Sequence, residues 1–355
     1  MLYDIHEKVK ELESKGKEII KFNIGDPDQD TDKRIVKMAL EAIERGETKY
    51  GSSFGNHELR KELADIHNVD INKVIITPGS KWAIFSTMYL LLKEGDNVVI
   101  PSPHYTAYEL IAKQVKAKVK LLECSLDNDW DIDVDKLENL IDDKTKIIVL
   151  NSPNNPTSKV IKKKTLENIV ETANKKNITI LSDEVYSDIS FVKTTSILDI
   201  DKNHIFVNSF SKTFAMTGWR IGYAIISKEL ANKIATLNQI TITNVPLFIQ
   251  AAILKVLKYK ERISSKMRNI YKKRADLAYK ILSKTRLKFS KPDAPFYLFP
   301  YCRMNSEELA DKLIQKGIAI VPGTAFGNYK EYFRLALTLS DAEIKTGLEK
   351  LVEVL

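Results

Sequence analysis

Two stretches near the start of the chain, Asp4 to Leu12 and Arg34 to Ile43, carry apolar residues at three- and four-residue spacings, the period of a helix with one buried face. The polar loop IGDPDQDTD lies between them. From Val74 the texture changes. Short apolar runs (VIIT, NVVIP, KVKLLE, KIIVL, ITILS, IFVNS, IGYAII) take turns with helical stretches such as Trp82 to Leu92, Lys163 to Asn174 and Leu230 to Leu237. Strand and helix in alternation predict an α/β layer on a mainly parallel sheet, since a parallel connection needs a helix to carry the chain back.

Residues Lys258 to Leu282 read as one long basic helix. Beyond it the alternation loosens into RLKFS, FYLFP, a helix over Ser306 to Lys316, IAIVP, FRLALTL and a closing helix, an α+β arrangement. The pattern predicts a large domain over 31–262 and a smaller α+β domain built from 1–30 and 263–355. No repeat, low-complexity tract or Gly/Ser linker interrupts the chain, so the hinge is ordinary structure.

Composition narrows the function classes. With 355 residues, 44% of them hydrophobic and only 13 Gly and 11 Pro, the chain buries a substantial core and is ordered nearly throughout. Its two cysteines, Cys124 and Cys302, form no CxxC pair, which argues against a zinc ribbon or redox motif and for a reducing compartment. No metal is expected. The formal charge of +8 is spread beside acidic residues with no long run of one sign, so it suits a solvated surface or an anionic small ligand better than nucleic acid. No apolar stretch reaches membrane-spanning length and Met1 to Lys10 is too charged for a signal peptide, so a soluble, cytoplasmic protein is expected.

In open α/β sheets, ligands gather at the carboxyl ends of the strands. After VIIT comes PGSK, after KIIVL comes NSPNNPTS, after ITIL comes SDEVY, and after HIFV comes NSFSKTFAMTGWR. TPGSKW joins a strand to a helix, so Gly79, Ser80 and Lys81 offer backbone amides at a positive helix end, a cradle for phosphate; a plain turn with a serine cap explains it equally. Asp183 falls at the rim of the sheet, where a buried carboxylate needs a cation or hydrogen-bond donors; a helix cap is the simpler alternative. Lys212 lies among small and apolar residues, an environment that lowers an amine's pKa and makes it a nucleophile, although most lysines are solvated surface. Arg220 and Arg334 are rarer. Arg334, inside FRLALTL, suits a carboxylate ligand or a structural ion pair.

An Asp for a ring nitrogen, a Lys for an aldehyde and a helix-end cradle for a phosphate are a protein's share of pyridoxal phosphate chemistry. The segment SFSKTFAMTGWRIGY resembles the signature of the class I aminotransferases of fold type I, and IGDPD, KYGSSFGNHELR, NSPNNPT, SDEVY, IVPGTAFG and FRLAL follow the family's order from about Ile24 to Leu339. The resemblance implies an α/β large domain with a mainly parallel seven-stranded sheet flanked by helices, plus the smaller α+β domain. It further implies pyridoxal 5'-phosphate as cofactor, amino acids and 2-oxo acids as substrates, and a homodimer with shared sites.

The resemblance also distributes roles. Lys212 is the amine that joins the cofactor and later carries the proton from the substrate Cα. Asp183 pairs with the ring nitrogen, Tyr186 and Asn155 hold the phenolic oxygen, and Tyr105 stacks on the ring. The phosphate belongs to Gly79, Ser80, Ser209 and Arg220, with Lys81 and Ser211 beside them and Tyr50 reaching in from the neighbouring subunit. Arg334 grips the α-carboxylate, aided by Asn155 and the Gly25 backbone. Lys81 sits where one subgroup places the cation for a second carboxylate, so aspartate or glutamate is the expected donor and 2-oxoglutarate the acceptor; a solvated first-turn lysine is the alternative. An alanine or aromatic aminotransferase, or a carbon-sulfur β-lyase, would use the same cofactor apparatus. A ligand-binding regulator on this fold would need a DNA-binding domain, and a nicotinamide dehydrogenase a GxGxxG loop, which this chain lacks. Three departures stand out: Ser158 replaces a usual glycine and predicts a less left-handed turn, APFY replaces Gly-Ala-Phe-Tyr at 294–297, and the connection from Arg60 to Val74 is short.

Overall fold

The computed structural model describes residues 2–355, except for the side chains of residues 2–4 and 6. Seven of the apolar runs form one sheet: β1 (Val74–Thr77), β2 (Asn97–Ser102), β3 (Lys118–Glu123), β4 (Thr145–Asn151), β5 (Thr179–Asp183), β6 (Ile205–Ser209) and β7 (Gly222–Ile225). Their spatial order is β1-β7-β6-β5-β4-β2-β3, and β7 alone runs antiparallel to its neighbours.

Alternate residues of each strand feed opposite faces. Val74, Ile76, Val99, Ile148 and Ile180 enter one core, while Ile75, Val98, Ile147, Val149 and Leu181 enter the other. Helices cover both faces, so the strands are apolar at successive positions rather than at every second one. Several of these helices lack a clear apolar stripe. Leu247–Val256 buries six of its residues, and with apolar side chains on all sides its period is invisible in the sequence.

The smaller α+β part packs around its own core of Phe22, Leu298, Leu313, Phe333, Leu335 and Leu348. It carries β8 (Tyr297–Leu298), β9 (Val321–Pro322) and β10 (Phe333–Ala336) in the order β9-β10-β8, and Ile20–Lys21 pairs in parallel with Ile318–Ala319. The run RLKFS, expected as a strand, contributes only one isolated bridge, Lys288 to Tyr301. IAIVP divides into two short strands, because each half pairs with a different partner. The helix Lys260–Leu282 serves both parts: Ile263 enters a large-sheet core and Ala275, Ala278 and Leu282 the smaller one. The division expected at 262/263 falls inside it. Among the described residues no helix is long and apolar enough to cross a membrane.

The loop after Phe22 ties the two parts together. The Phe22, Asn23 and Ile24 carbonyls accept from Ala336 N, Arg334 Nη2 and Thr338 Oγ1. On the other side Asp26 accepts from Thr217, and Thr31 donates to the Ala215 carbonyl. Asp28 is clamped by both arms of Arg274 at 2.6 and 2.8 Å and by the Tyr271 hydroxyl at 3.0 Å. Burial pushes the Asp28 carboxyl up, but the Arg274 and Tyr271 hydrogen bonds outweigh it and hold it below the usual range.

Replacing the clamp should therefore be costly. Arg274→Met is expected to lose about 2 to 3 kcal/mol, near the value of charge-assisted hydrogen bonds, read as a lower urea midpoint. A carboxyl depressed in the fold stabilises above its unfolded pKa. The gap between wild type and variant should thus be full above about pH 4 and shrink as pH falls below it. A gap independent of pH between 2 and 6 would remove Asp28 from the account.

Candidate active site

Strands β4, β5 and β6 end side by side, β1 ends at the same edge of the sheet beyond β7, and their carboxyl ends face the loop around Gly25 and strand β10 of the smaller part. A cavity of about 490 Å³ lies between them. Of the fourteen residues singled out by sequence, twelve line it; Gly79 and Tyr50 do not.

Gly79 lies immediately behind the wall. It holds φ +80°, and a Cβ there would sit 2.6 Å from Arg220 Nη2, so only glycine lets the guanidinium approach. A Cβ at Gly222 would meet Ser80 N at 2.8 Å. Ser80 opens the helix Ser80–Leu91, whose N-cap is Gly79 with no side-chain cap, which leaves its first amides to a ligand. Ser209 caps the short helix Phe210–Thr213 by accepting from Ser211 N at 3.1 Å, and its hydroxyl lies 2.9 Å from that of Ser211. Arg220 takes a left-handed φ of 55° and is fastened to the Thr217 carbonyl at 2.6 Å. Two serines, one arginine and a helix start thus converge on one end of the cavity, a fit for a dianionic group.

Asp183, the last residue of β5, is 4% exposed. It accepts from Tyr108 Oη at 2.7 Å and Val185 N at 3.3 Å, so it is not a helix cap. Burial pushes its carboxyl up to about 6, against the pull of these two donors. Among the described residues no cation pairs with it. Arg334 is its counterpart, 3% exposed. Nη1 donates to Asn155 Oδ1 at 3.0 Å and Nη2 to the Asn23 carbonyl at 2.9 Å, while Nε has no partner. The rings of Tyr297 and Phe326 cover the guanidinium, with centroids 4.5 and 5.0 Å from Cζ. Here too no ion pair forms among the described residues, which removes the structural ion pair as an explanation.

Lys212 projects from Phe210–Thr213 and donates from Nζ to the Gly25 carbonyl at 2.7 Å. Burial draws its amine down to about 8; Asp26 opposes the shift, and Arg334, Arg220 and Lys81 add to it. The Tyr186 hydroxyl lies 3.1 Å from that of Tyr297. Asn155 is oriented by its own amide, which donates to Asn151 Oδ1 at 2.8 Å. Tyr105 meets Tyr108 edge-on, and Lys81 Nζ lies 5.8 Å from the Tyr105 ring centroid. Tyr50 is 86% exposed and stands outside the cavity of this chain.

The Ser158 turn corrects the sequence reading: φ is +56°, left-handed despite the side chain. Hydrogen bonds hold it there. Ser158 N donates to the Asn154 carbonyl at 2.8 Å, its own carbonyl accepts from Asp293 N at 3.0 Å, and its Oγ accepts from Tyr297 N at 3.0 Å. These offset a backbone cost of roughly 1 to 2 kcal/mol. Tyr108 and Tyr297 are not among the residues that the sequence singles out. Tyr108 carries one signal, its three-residue spacing from Tyr105 at a helix start; Tyr297 is hidden in an apolar run.

A family model described as aminotransferase class I and II matches residues 17–351. The probable aspartate aminotransferase of Methanocaldococcus jannaschii is 36% identical over 351 residues, 94% of this chain and 93% of that protein. The aspartate aminotransferase of Thermococcus kodakarensis is 31% identical, covering 100% of this chain and 92% of its own. The solved structure of the Thermus thermophilus aspartate aminotransferase with maleate superposes with a TM-score of 0.97 at 30% identity, covering 100% of this chain and 96% of that one.

The Lys212 environment makes a direct prediction for the chain alone. An amine near pKa 8 is neutral at pH 7 on the order of a hundred times more often than a solvated lysine near 10.4. Labelling by an acylating reagent, followed by peptide mass spectrometry across pH, should give Lys212 a midpoint near 8. A midpoint above 10 would contradict the desolvated environment.

Proposed function

The chain belongs to the class I and II aminotransferase family, and from that premise we propose that this pyridoxal-phosphate-dependent enzyme moves the amino group of L-aspartate or L-glutamate to a 2-oxo acid, 2-oxoglutarate being the acceptor that fits. The observation that carries the reading is the pair of buried, uncompensated charges, Asp183 and Arg334, on the walls of the cavity that also holds the Lys212 amine. A carboxylate lacking a cation fits a protonated ring nitrogen. At the phosphate end, Gly79 lets the Arg220 guanidinium, and Gly222 the Ser80 backbone amide, approach more closely than a Cβ would allow. The residues present therefore fit the cofactor.

When bound, pyridoxal phosphate supplies an aldehyde that accepts an amine and a protonated ring that takes up electron density from the substrate Cα. Asp183 would keep that ring nitrogen protonated, and Tyr186 and Asn155 would donate to the phenolic oxygen. Ser80, Ser209, Ser211 and Arg220 would hold the phosphate at that end of the cavity, with Tyr105 against the ring face. Arg334 would take the α-carboxylate beside the Gly25 backbone, and so fix which Cα bond faces Lys212. Lys212, its amine drawn down to about 8 by burial, would in its neutral form remove the Cα proton and return it on the other side of the transfer. Lys81 would face the second carboxylate. A homodimer completes the site in this reading: Tyr50 is 86% exposed, and Leu40 at 57% and Ile240 at 75% are exposed apolar groups that a second copy would cover.

The first test is the absorbance of the chain loaded with pyridoxal phosphate. L-Aspartate without acceptor should convert the visible band to a near-ultraviolet one, and 2-oxoglutarate should restore it. A band that aspartate leaves untouched but alanine or phenylalanine converts would move the donor class. Pyruvate released from a cysteine conjugate without any acceptor would assign a lyase instead. Lys81→Ala should cut kcat/KM for aspartate by roughly ten- to a hundredfold, the worth of a charge-assisted contact, and change that for alanine far less. Equal losses would take Lys81 out of the pocket.

A further inference from the structure

Tyr297 has no part in the roles above, yet it touches three of the groups that carry them. Its hydroxyl meets that of Tyr186 at 3.1 Å. Its ring lies beneath the Arg334 guanidinium, 4.5 Å from Cζ to centroid. The hydroxyl also abuts Gly25, where an added Cβ would stand 2.0 Å from Tyr297 Oη, and the Gly25 carbonyl is the acceptor for Lys212 Nζ. The side chain is 3% exposed.

The backbone is placed as tightly. In the two-residue strand β8, Tyr297 stands opposite Ala336, two positions from Arg334 on β10. Its amide donates to Ser158 Oγ at 3.0 Å, and Ser158 sits at φ +56°. Glycine would hold that conformation at less cost. The serine adds the acceptor that keeps Tyr297 in place.

We propose that Tyr297, anchored by Ser158, is a positioning residue that orients Tyr186 through its hydroxyl and Arg334 through its ring. The proposal rests on the function read above. Each contact has a distinct effect. When Tyr186 gives its proton to the cofactor's phenolic oxygen, its hydroxyl is left to accept from Tyr297, and a hydroxyl that accepts one hydrogen bond becomes a stronger donor in the next. An aromatic face covers the guanidinium plane and leaves only its edge for hydrogen bonding, so the ring sets the angle at which a carboxylate is taken.

The two effects separate by mutation in the pyridoxal-phosphate-loaded chain. Two readouts serve: the pH midpoint of the visible band, and the Kd of succinate, a dicarboxylate with no amino group to transfer. Tyr297→Phe keeps the ring. It should raise the band midpoint, because a weaker donor leaves more charge on the phenolic oxygen and the chromophore keeps its proton to higher pH. Succinate Kd should stay within about twofold. Tyr297→Leu should raise the midpoint and also weaken succinate about tenfold. Ser158→Gly keeps the backbone conformation, removes only the acceptor, and should move both readouts the same way by less.

A purely structural role would lower the unfolding midpoint of all three variants and leave both readouts unmoved, and that result overturns the proposal. A Tyr297→Leu chain that binds succinate as tightly as wild type overturns it as well. If that variant does not fold, an unmoved band midpoint in both Tyr297→Phe and Ser158→Gly decides against it. A wild-type chain that takes up no cofactor or binds no succinate overturns the functional reading and this proposal with it, a failure visible before any variant is made.

Discussion

Two charges of opposite sign are withdrawn from water in the same cavity and kept apart. Asp183 and Arg334 are 4% and 3% exposed, and each ion placed so costs several kcal/mol when left without a counter-charge. The fold offsets part of that cost with dipoles. A phenol and a backbone amide serve Asp183, and an amide oxygen, a carbonyl and two ring faces serve Arg334. Among the described residues these partners supply no counter-charge to either ion, and Arg334 Nε has no partner at all. The remaining imbalance is what a ligand with a cationic ring nitrogen and a carboxylate would relieve, so affinity is stored in the folded chain before anything binds.

Every other element can be read as support for that arrangement. The sheet puts Asp183 and Ser209 at adjacent strand ends, since β5 and β6 run parallel in register. Arg334 and Tyr297 come from the smaller part, on β10 and β8. The loop through Gly25 and Asp28 fastens the two parts at the seam, and the same loop supplies the carbonyl that receives the Lys212 amine. Position and chemistry therefore share one set of hydrogen bonds. Behind Asp183, Glu184 is buried as well, its carboxyl pushed up to about 7 by burial against the Ile197 amide and the Ser182 and Ser196 hydroxyls.

Much of this was legible in the sequence. The seven apolar runs gave the sheet, because strands buried on both faces are written as unbroken apolar residues. The residues after them gave Asp183, Lys212 and Arg220, because strand ends are where polar side chains have a reason to cluster. Three things were less legible. Helix Leu247–Val256 has no polar face, so its period is silent. Tyr108 and Tyr297 look like core aromatics, since only the hydroxyl at the tip is chemical and its partner is distant in sequence. Ser158 suggested a relaxed turn, whereas hydrogen bonds from Asp293 and Tyr297, far along the chain, help the local one to Asn154 hold the left-handed form. What sequence hides here is long-range pairing, not composition.

The parallel pairing of Ile20–Lys21 with Ile318–Ala319, and the contact of Phe22 with Gly347, also set an order of events during synthesis. Ile20 and Lys21 cannot close these hydrogen bonds until Ile318 and Ala319 have been made. At ribosomal rates of about 5 to 20 residues per second, some 300 residues of delay leave the N-terminal segment without its partner for roughly 15 to 60 s. The large sheet can form within that window from contiguous chain, whereas the smaller part must wait for Ile318 and Ala319. In the cell, the half of the site that holds Asp183 and Lys212 is therefore built first, and the half that holds Arg334 closes over it afterwards.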